Sequence, residues 1–500
     1  MKKSCICLVL ALMIIGLGPM NSNAIAETTS KRDSIIVALS GEPTSMDEQV
    51  NNDGMKQFVT KNVTQTLMGL NGETFEPEYL LATSHKVIDE VTWEFELREN
   101  VEFHHGDTFS ADDVVFSLNR VREFNSNMVG YTETIKEIQV VDSNTIRIVT
   151  IAPDPILLKR LLMLPILGAK WTAANSEQSS YTPDGTGPYM VVEFNRGLDI
   201  QMIAFENYWG PKPQIKKASY RIIKEASTRL AALQKGEVDL AINMYPEYKQ
   251  DMPKTIEIQG NELFYLKLNC LRGPFQNPDL RLALAYAINV PEITEYLYLG
   301  SATQLQGQMG KQSYTGFSDK VGAYPFDLEK AKELMDKAGY NGEPIEIIGE
   351  RGRWLKDGEL NEALLASMTA AGFNVKLKFV SWSEFIDMMR NPSKMGDLMT
   401  NAIGNDFLDM DRPYSAMGTS TGPMSANKDP VYDEMVLAAK YEMDVAKRQE
   451  KYDEIAAYTF ARPYAIPLFA LNDIYGAQEY VEFYPREDGR LYLAEISFTD

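Results

Sequence analysis

The sequence predicts a mixed α/β fold divided into more than one lobe. Three observations carry this. The chain has 500 residues, more than the roughly 250–300 that a single hydrophobic core reaches. Strand-like and helix-like runs alternate along it, with short turns between them. After about residue 340, one strand–helix–strand run implies a parallel pair joined by a right-handed crossover. A content of 44% hydrophobic and 24% charged residues is that of an ordinary globular protein.

The first 26 residues stand apart from the fold. Lys2 and Lys3 are followed by an uncharged apolar run from Cys5 to Leu17, and Ala24-Ile25-Ala26 offers a small-x-small cleavage site. This is the pattern of a cleavable export signal, cut after Ala26, and the run is shorter than the ~20 residues of a membrane span. No cysteine sits at the cleavage point, so a soluble, unanchored product is expected. Of three cysteines only Cys270 then remains, which rules out a disulfide within the chain. It lies in the apolar run "LFYLKLNC" and reads as a buried, inert thiol.

Further along, "WEFELREN" and "TIRIVTIA" read as strands, and "ADDVVFSLNRV" reads as a helix with Val114, Leu118 and Val121 on one face. Just before that helix, "FHHGDTFSADDVV" places His104 and His105 beside Asp107; the only other histidine is His85. Metal-binding histidines on a helix face would be four apart, and adjacent ones on a strand point to opposite sides. Ser110 and Asp113 form a capping-box pattern, and Gly106 suits a turn. The stretch reads as a structural turn and cap.

The clearest elements follow residue 340. "PIEIIG" (344–349) is a strand, and "GELNEALLASMTAA" (358–371) is a helix with Leu360, Leu364, Leu365 and Met368 inward and Gly372 as its cap. "FNVKLKF" (373–379) alternates Phe373, Val375, Leu377 and Phe379 on one face. In open α/β sheets ligands bind beyond the carboxyl ends of the strands. "ERGRW" leaves the strand 344–349 at that end, so Arg351 and Arg353 fall where a helix N-terminus also favours an anion. "GDLMTNAIG" (396–404) reads as another strand, and "NDFLDMD" brings Asp406, Asp409 and Asp411 to its carboxyl end. Basic and acidic groups sharing one edge would suit a ligand with a carboxylate and an amine. The same arginines would serve equally as partners for acids of the protein, or face solvent.

A formal charge of −21, spread along the chain, disfavours nucleic-acid or anionic-membrane partners. Catalytic patterns fail. "GTSTG" (418–422) matches a nucleophile elbow, but Pro423 follows at once and no histidine lies beyond His105. "SANK" (425–428) is cut off by Asp429-Pro430. Phosphate-loop, dinucleotide and zinc patterns are missing. An enzyme is not expected, nor a cofactor or a bound metal.

The segment "LRENVEFHHGDTFSADDVVFSLNRV" resembles the signature of the family 5 extracellular solute-binding proteins, the peptide- and nickel-type substrate receptors of ABC importers. His105 stands where aspartate is usual. The resemblance continues through "EPTSMDEQ" (42–49), "GTGPYMVVEFNRGLDIQMIAFENYWGPKP" (185–213), "TRLAALQKGEVDLA" (228–241), "LNCLRGPFQNPDLRLALAYAIN" (268–289) and "YPFDLEKAKELMDKAGY" (324–340).

The resemblance implies a two-lobed periplasmic binding-protein fold with an extra third domain and a ligand cleft between the lobes. Lobe I would combine residues 27–70, 184–268 and 481–500, the extra domain 71–183, and lobe II 269–480, with crossings near Asn269 and Gln478–Tyr480. It further implies a periplasmic, monomeric receptor that delivers a short peptide or peptide-like zwitterion to an inner-membrane ABC permease. Opines, oligosaccharides, nickel complexes and a sensory role are the alternatives. Asp406 falls at the place of the family's amine-binding aspartate, with Asn405 beside it, and Arg351 at that of the carboxylate-binding arginine. Ile403 and Met410 replace the usual tryptophan and proline. Trp354 and Trp382 would wall the pocket, or pack at the surface and in the core.

Overall fold

A computed structural model describes residues 32–124 and 127–499; the export signal of residues 1–26 lies outside them. An eleven-stranded mixed sheet runs through both lobes. In the first lobe the order is Tyr189–Asn195, Asp199–Ala204, Lys217–Ile222, Ser34–Leu39 and Leu240–Ala241. Ala465–Ala477 and Lys254–Leu268 follow and carry the chain across. Leu398–Gly404, Ile345–Gly349 and Val375–Phe379 complete the second lobe, and Ala302–Gln304 pairs with Ala465–Ala477.

The two crossing strands are antiparallel. Lys254–Gln259 face Asn472–Ala477, the register then shifts between Gln259 and Glu262, and Glu262–Lys267 face Ala465–Leu471. Gly260 sits in this irregularity because a Cβ there would lie 2.6 Å from the Leu471 carbonyl oxygen. Leu263 to Leu268 pack into the second lobe's cores, whereas Ile474, Tyr475 and Ala477 pack into the first lobe's. The crossings therefore lie inside two long strands, at Gln259–Glu262 and Leu471–Asp473, earlier in both passages than Asn269 and Gln478–Tyr480. An unbroken apolar strand conceals a change of lobe, because the change is made by its partners.

The expected crossover is present. Ile345–Gly349 pairs parallel with Val375–Phe379 and with Leu398–Gly404, and Asp357–Ala370 forms the connecting helix. Leu360, Leu364 and Met368 are buried, with Leu365 at the edge of that core.

Residues of the expected extra domain form a separate four-stranded antiparallel sheet, Ala82–Asp89, Thr92–Leu97, Thr145–Thr150 and Ile135–Asp142, with its own core. Helix Ala111–Glu123 buries Val114, Leu118 and Val121 against it, and Ser110 and Asp113 form the capping box. His104 contacts the Gly187 carbonyl at 3.0 Å, and burial pulls its pKa down to about 4. His105 Nδ1 lies 2.9 Å from Asp184 Oδ1 and its ring stacks on Trp171. Gly106 has φ +92°. These histidines fasten the extra domain to the first lobe.

Cys270 is partly rather than fully buried, and burial pushes its thiol up to about 11, so it stays un-ionised. Among the described residues no helix is long and apolar enough to cross a membrane.

Candidate ligand-binding site

A cavity of about 1170 Å³ opens between the lobes. Its first-lobe wall includes Ser40, Gly41, Met55, Lys224 and Tyr245. Its second-lobe wall is the loop 351–359, and Glu262 and Leu471–Ile474 of the crossing strands form its floor. Arg351 and Arg353, from the carboxyl end of the strand Ile345–Gly349, line this cavity together with Trp354. Asp406 lines a separate cavity of about 210 Å³ with Asn261, Tyr208 and Arg490. Asn405 and Trp382 line neither.

The expected anchors are largely occupied by the protein's own groups. Asp406 accepts hydrogen bonds from Tyr131 Oη at 2.7 Å and Asn52 Nδ2 at 2.9 Å, and pairs with Arg490 at 3.2 Å and Arg412 at 3.7 Å. Burial raises its pKa, but the two arginines and these donors outweigh it and hold the carboxyl below its ordinary range. Asp406 therefore ties the second lobe to the first lobe and to the extra domain. Asn405 spends its amide within its own loop, donating to the Asp409 carbonyl at 2.8 Å and accepting from Phe407 N–H. It is a turn residue rather than a wall of the cleft.

The loop around Arg351 and Arg353 is occupied too. Asp357, the first residue of the helix, accepts from the N–H groups of Gly352, Arg353 and Trp354 at 2.9–3.0 Å, so the loop's amides already face a carboxylate of the protein. Arg351 pairs with Glu362 at 2.8 Å across solvent and lies over the Phe379 ring. An exposed pair of this kind holds weakly, by ~0–1 kcal/mol, and a ligand carboxylate can displace it.

Arg353 differs. Its exposed guanidinium lies 5.2 Å from the Trp382 ring centre and 5.7 Å from that of Trp354, with no ion pair among the described residues. Trp354 is buried, and its Nε1–H donates to Glu262 Oε1 at 2.7 Å. Trp382 stands one ring further out, stacked on Phe385 and edge-on to Trp354. The aromatic pair supports Arg353; Trp354 alone reaches the cavity.

Two floor residues went unnoticed in the sequence. Glu262 and Asp473 lie on one face of the crossing strands, where the register shifts. Burial raises both pKa values, that of Asp473 to about 7 with Glu262 adding to it. Neither makes an ion pair among the described residues. Their signal was an acid set against an apolar run in each crossing strand, in "NELFYLKL" and in "ALNDIYGA".

A raised carboxyl pKa has a definite sign. Between its ordinary value near 3.8 and about 7, the folded chain holds a proton at Asp473 that the unfolded chain does not, so stability falls as pH rises through that window. Asp473→Asn is expected to raise the melting temperature more at pH 8 than at pH 5. An equal gain at both would place the destabilisation elsewhere.

Among the described residues no group of three His, Cys, Asp or Glu side chains is placed to hold a metal ion.

The family described as "Bacterial extracellular solute-binding proteins, family 5 Middle" matches residues 76–425. The chain belongs to this family. The family is one of solute-binding receptors rather than enzymes. Among curated relatives, this family 5 protein is 29% identical over 366 residues to heme-binding protein A of Haemophilus influenzae, covering 65% of each chain. It is 30% identical over 336 residues to the dipeptide-binding protein of Escherichia coli, covering 60% of this chain and 62% of that one. The matched stretches thus span under two thirds of these relatives' lengths.

Solved structures extend the likeness of fold. The periplasmic binding protein DppA of Helicobacter pylori, in complex with the peptide STSA, is 25% identical with a TM-score of 0.77, covering 93% of this chain and 98% of that one. HbpA2 of Haemophilus parasuis has a TM-score of 0.83 at 21% identity, covering 93% and 100%.

Proposed function

We propose that this protein is the periplasmic receptor of an ABC importer, capturing a short peptide or peptide-like zwitterion in the interlobe cleft and delivering it to an inner-membrane permease. The observation that carries this reading is the cavity of about 1170 Å³ between the lobes, with Arg353 on its second-lobe wall making no ion pair among the described residues. That volume exceeds the ~300–1000 Å³ of ordinary small-molecule pockets and suits several linked residues better than one amino acid. Arg353, held over aromatic rings, presents a pre-set donor fork for a ligand carboxylate. Arg351 supports it once released from Glu362.

The ligands named for its relatives, a dipeptide and the peptide STSA among them, agree with this class. The import role rests on the family, and the export signal supplies the compartment. The test is mass spectrometry of the small molecules released when the exported protein is purified natively and then denatured. Short peptides with free termini are the expected result. A sugar, a haem or a metal chelate bound in their place would overturn the peptide reading and leave the receptor.

A further inference from the structure

We infer that Glu262 and Asp473, on the crossing strands at the floor of the cleft, receive the cationic group of the ligand, and that Asp406 does not. This rests on the cleft reading above and names the polarity with which that cleft reads its ligand.

The inference begins with Asp406. Four protein groups, two of them guanidinium, already surround its carboxylate. An ammonium arriving there would compete with Arg490 and Arg412, both partly buried, for the same carboxylate. Asp406 also lines the smaller cavity, apart from the one that Arg351 and Arg353 share.

The floor acids are placed differently. Both line the large cavity, and no cation reaches ion-pair distance of either among the described residues. The surroundings leave them room. A Cβ on Gly260 would lie 3.0 Å from the Asp473 carboxylate, and one on Gly489 would lie 3.4 Å from its Oδ2. Two glycines, one from the first crossing strand and one from the C-terminal segment, thus flank this carboxylate. Glu262 is fixed by the Trp354 indole N–H at 2.7 Å, which orients one oxygen and leaves the other for a donor.

The charged groups facing the pair from every packed element bear on this. Lys311 is committed to Glu487 at 2.8 Å, Arg490 to Asp406, and Asp488 to Arg486 at 3.0 Å. Arg353 acts on Glu262, and Lys311 and Arg490 on Asp473, through space without bonding to them, and burial outweighs all three. Two acids with raised pKa values therefore wait for a positive charge, and binding one would release a proton near neutral pH. A zwitterion would lie with its anionic end on Arg353 and its cationic end on the floor.

The test uses two probe pools on the full-length mature protein: synthetic tri- to pentapeptides with free amino termini, and the same peptides acetylated. Each pool is supplied at about 1 mM in a thermal-shift assay, since a ligand that binds only the folded state stabilises it by mass action. The strongest free-amine member and its acetylated twin are then compared by calorimetry. The wild-type protein is expected to prefer the free amine by about tenfold or more. That preference is expected to collapse towards one in the double variant Glu262→Gln/Asp473→Asn and to persist in Asp406→Asn, whatever happens to absolute affinity. A ratio is the right readout because a merely structural loss weakens both twins alike.

Preference retained in the double variant, or lost in Asp406→Asn, would overturn the inference while leaving the peptide reading intact. Equal binding of both twins by the wild type would do the same. If neither pool stabilises the wild type, the peptide reading falls, and the inference with it.

Discussion

Replacing Asp409 by alanine is expected to cost the fold roughly 3–5 kcal/mol, the range for breaking a buried ion pair from one side. Asp409 has no solvent exposure. Arg448 grips it with both terminal nitrogens at 2.8 and 3.1 Å, Tyr452 Oη lies at 3.4 Å, and the Asp411 N–H donates to it at 2.8 Å. Lys159 of the extra domain stands 3.9 Å away. Burial opposes the charge of Arg448, but the Asp409 carboxylate beside it wins and holds its pKa above the ordinary arginine value. Without Asp409, Arg448 and Lys159 remain buried with no carboxylate at ion-pair distance among the described residues. Urea unfolding should show the loss as a lower midpoint. The Asp409→Ala/Arg448→Ala double variant should lose less than the two singles added together, because the partners are coupled. A single-variant loss below about 1 kcal/mol would show that the pair is dispensable.

Arg120→Ala is the second large effect, again about 3–5 kcal/mol. Arg120 comes from the extra domain's helix and reaches into the first lobe. It donates to both oxygens of Asp47, at 3.1 and 2.5 Å, and to Gln49 Oε1 at 2.9 Å. Asp47 is almost fully buried, so alanine leaves a charge sealed between two domains. Limited proteolysis should then cut the extra domain sooner than in the wild-type protein. Arg120→Lys should fall between the two, since lysine restores the charge but not the fork. An alanine variant as resistant to proteolysis as the wild type would mean that apolar contacts alone hold this junction.

What the sequence made legible was local. The capping box at Ser110, the buried stripe of Val114, Leu118 and Val121, and the crossover of 345–379 rest on residues a few positions apart, and periodicity reports such neighbours directly. The strand edge that carries Arg351 and Arg353 followed from their place at the carboxyl end of the strand 344–349. What stayed hidden depends on distant partners. Nothing near Asp406 announces Asn52 or Arg490, and nothing in the strand Lys254–Leu268 shows that its first half answers to one lobe and its second to another. Asp357 illustrates the middle case. Its carboxylate, on the first residue of the helix, gathers the N–H groups of the loop before it, and the acid that does so stands only two residues from Leu355. Glu262 and Asp473 were visible as acids in apolar strands, but only their pairing across the lobes makes them one floor.

The crossing strands also constrain how news of an occupied cleft can travel. Two antiparallel chains, hydrogen-bonded on either side of the irregularity at Gln259–Glu262, resist sliding and twisting, since either would unzip a ladder. Bending at the irregularity costs the least, because Gly260 and its neighbours already lack regular pairing there. The joint is therefore a fulcrum, and each lobe is a rigid arm leaving it. A small change of angle at Glu262 and Asp473 becomes a much larger displacement at the outer rim of each arm. A carboxylate neutralised at the pivot can thus be registered by a distant surface that never touches the solute.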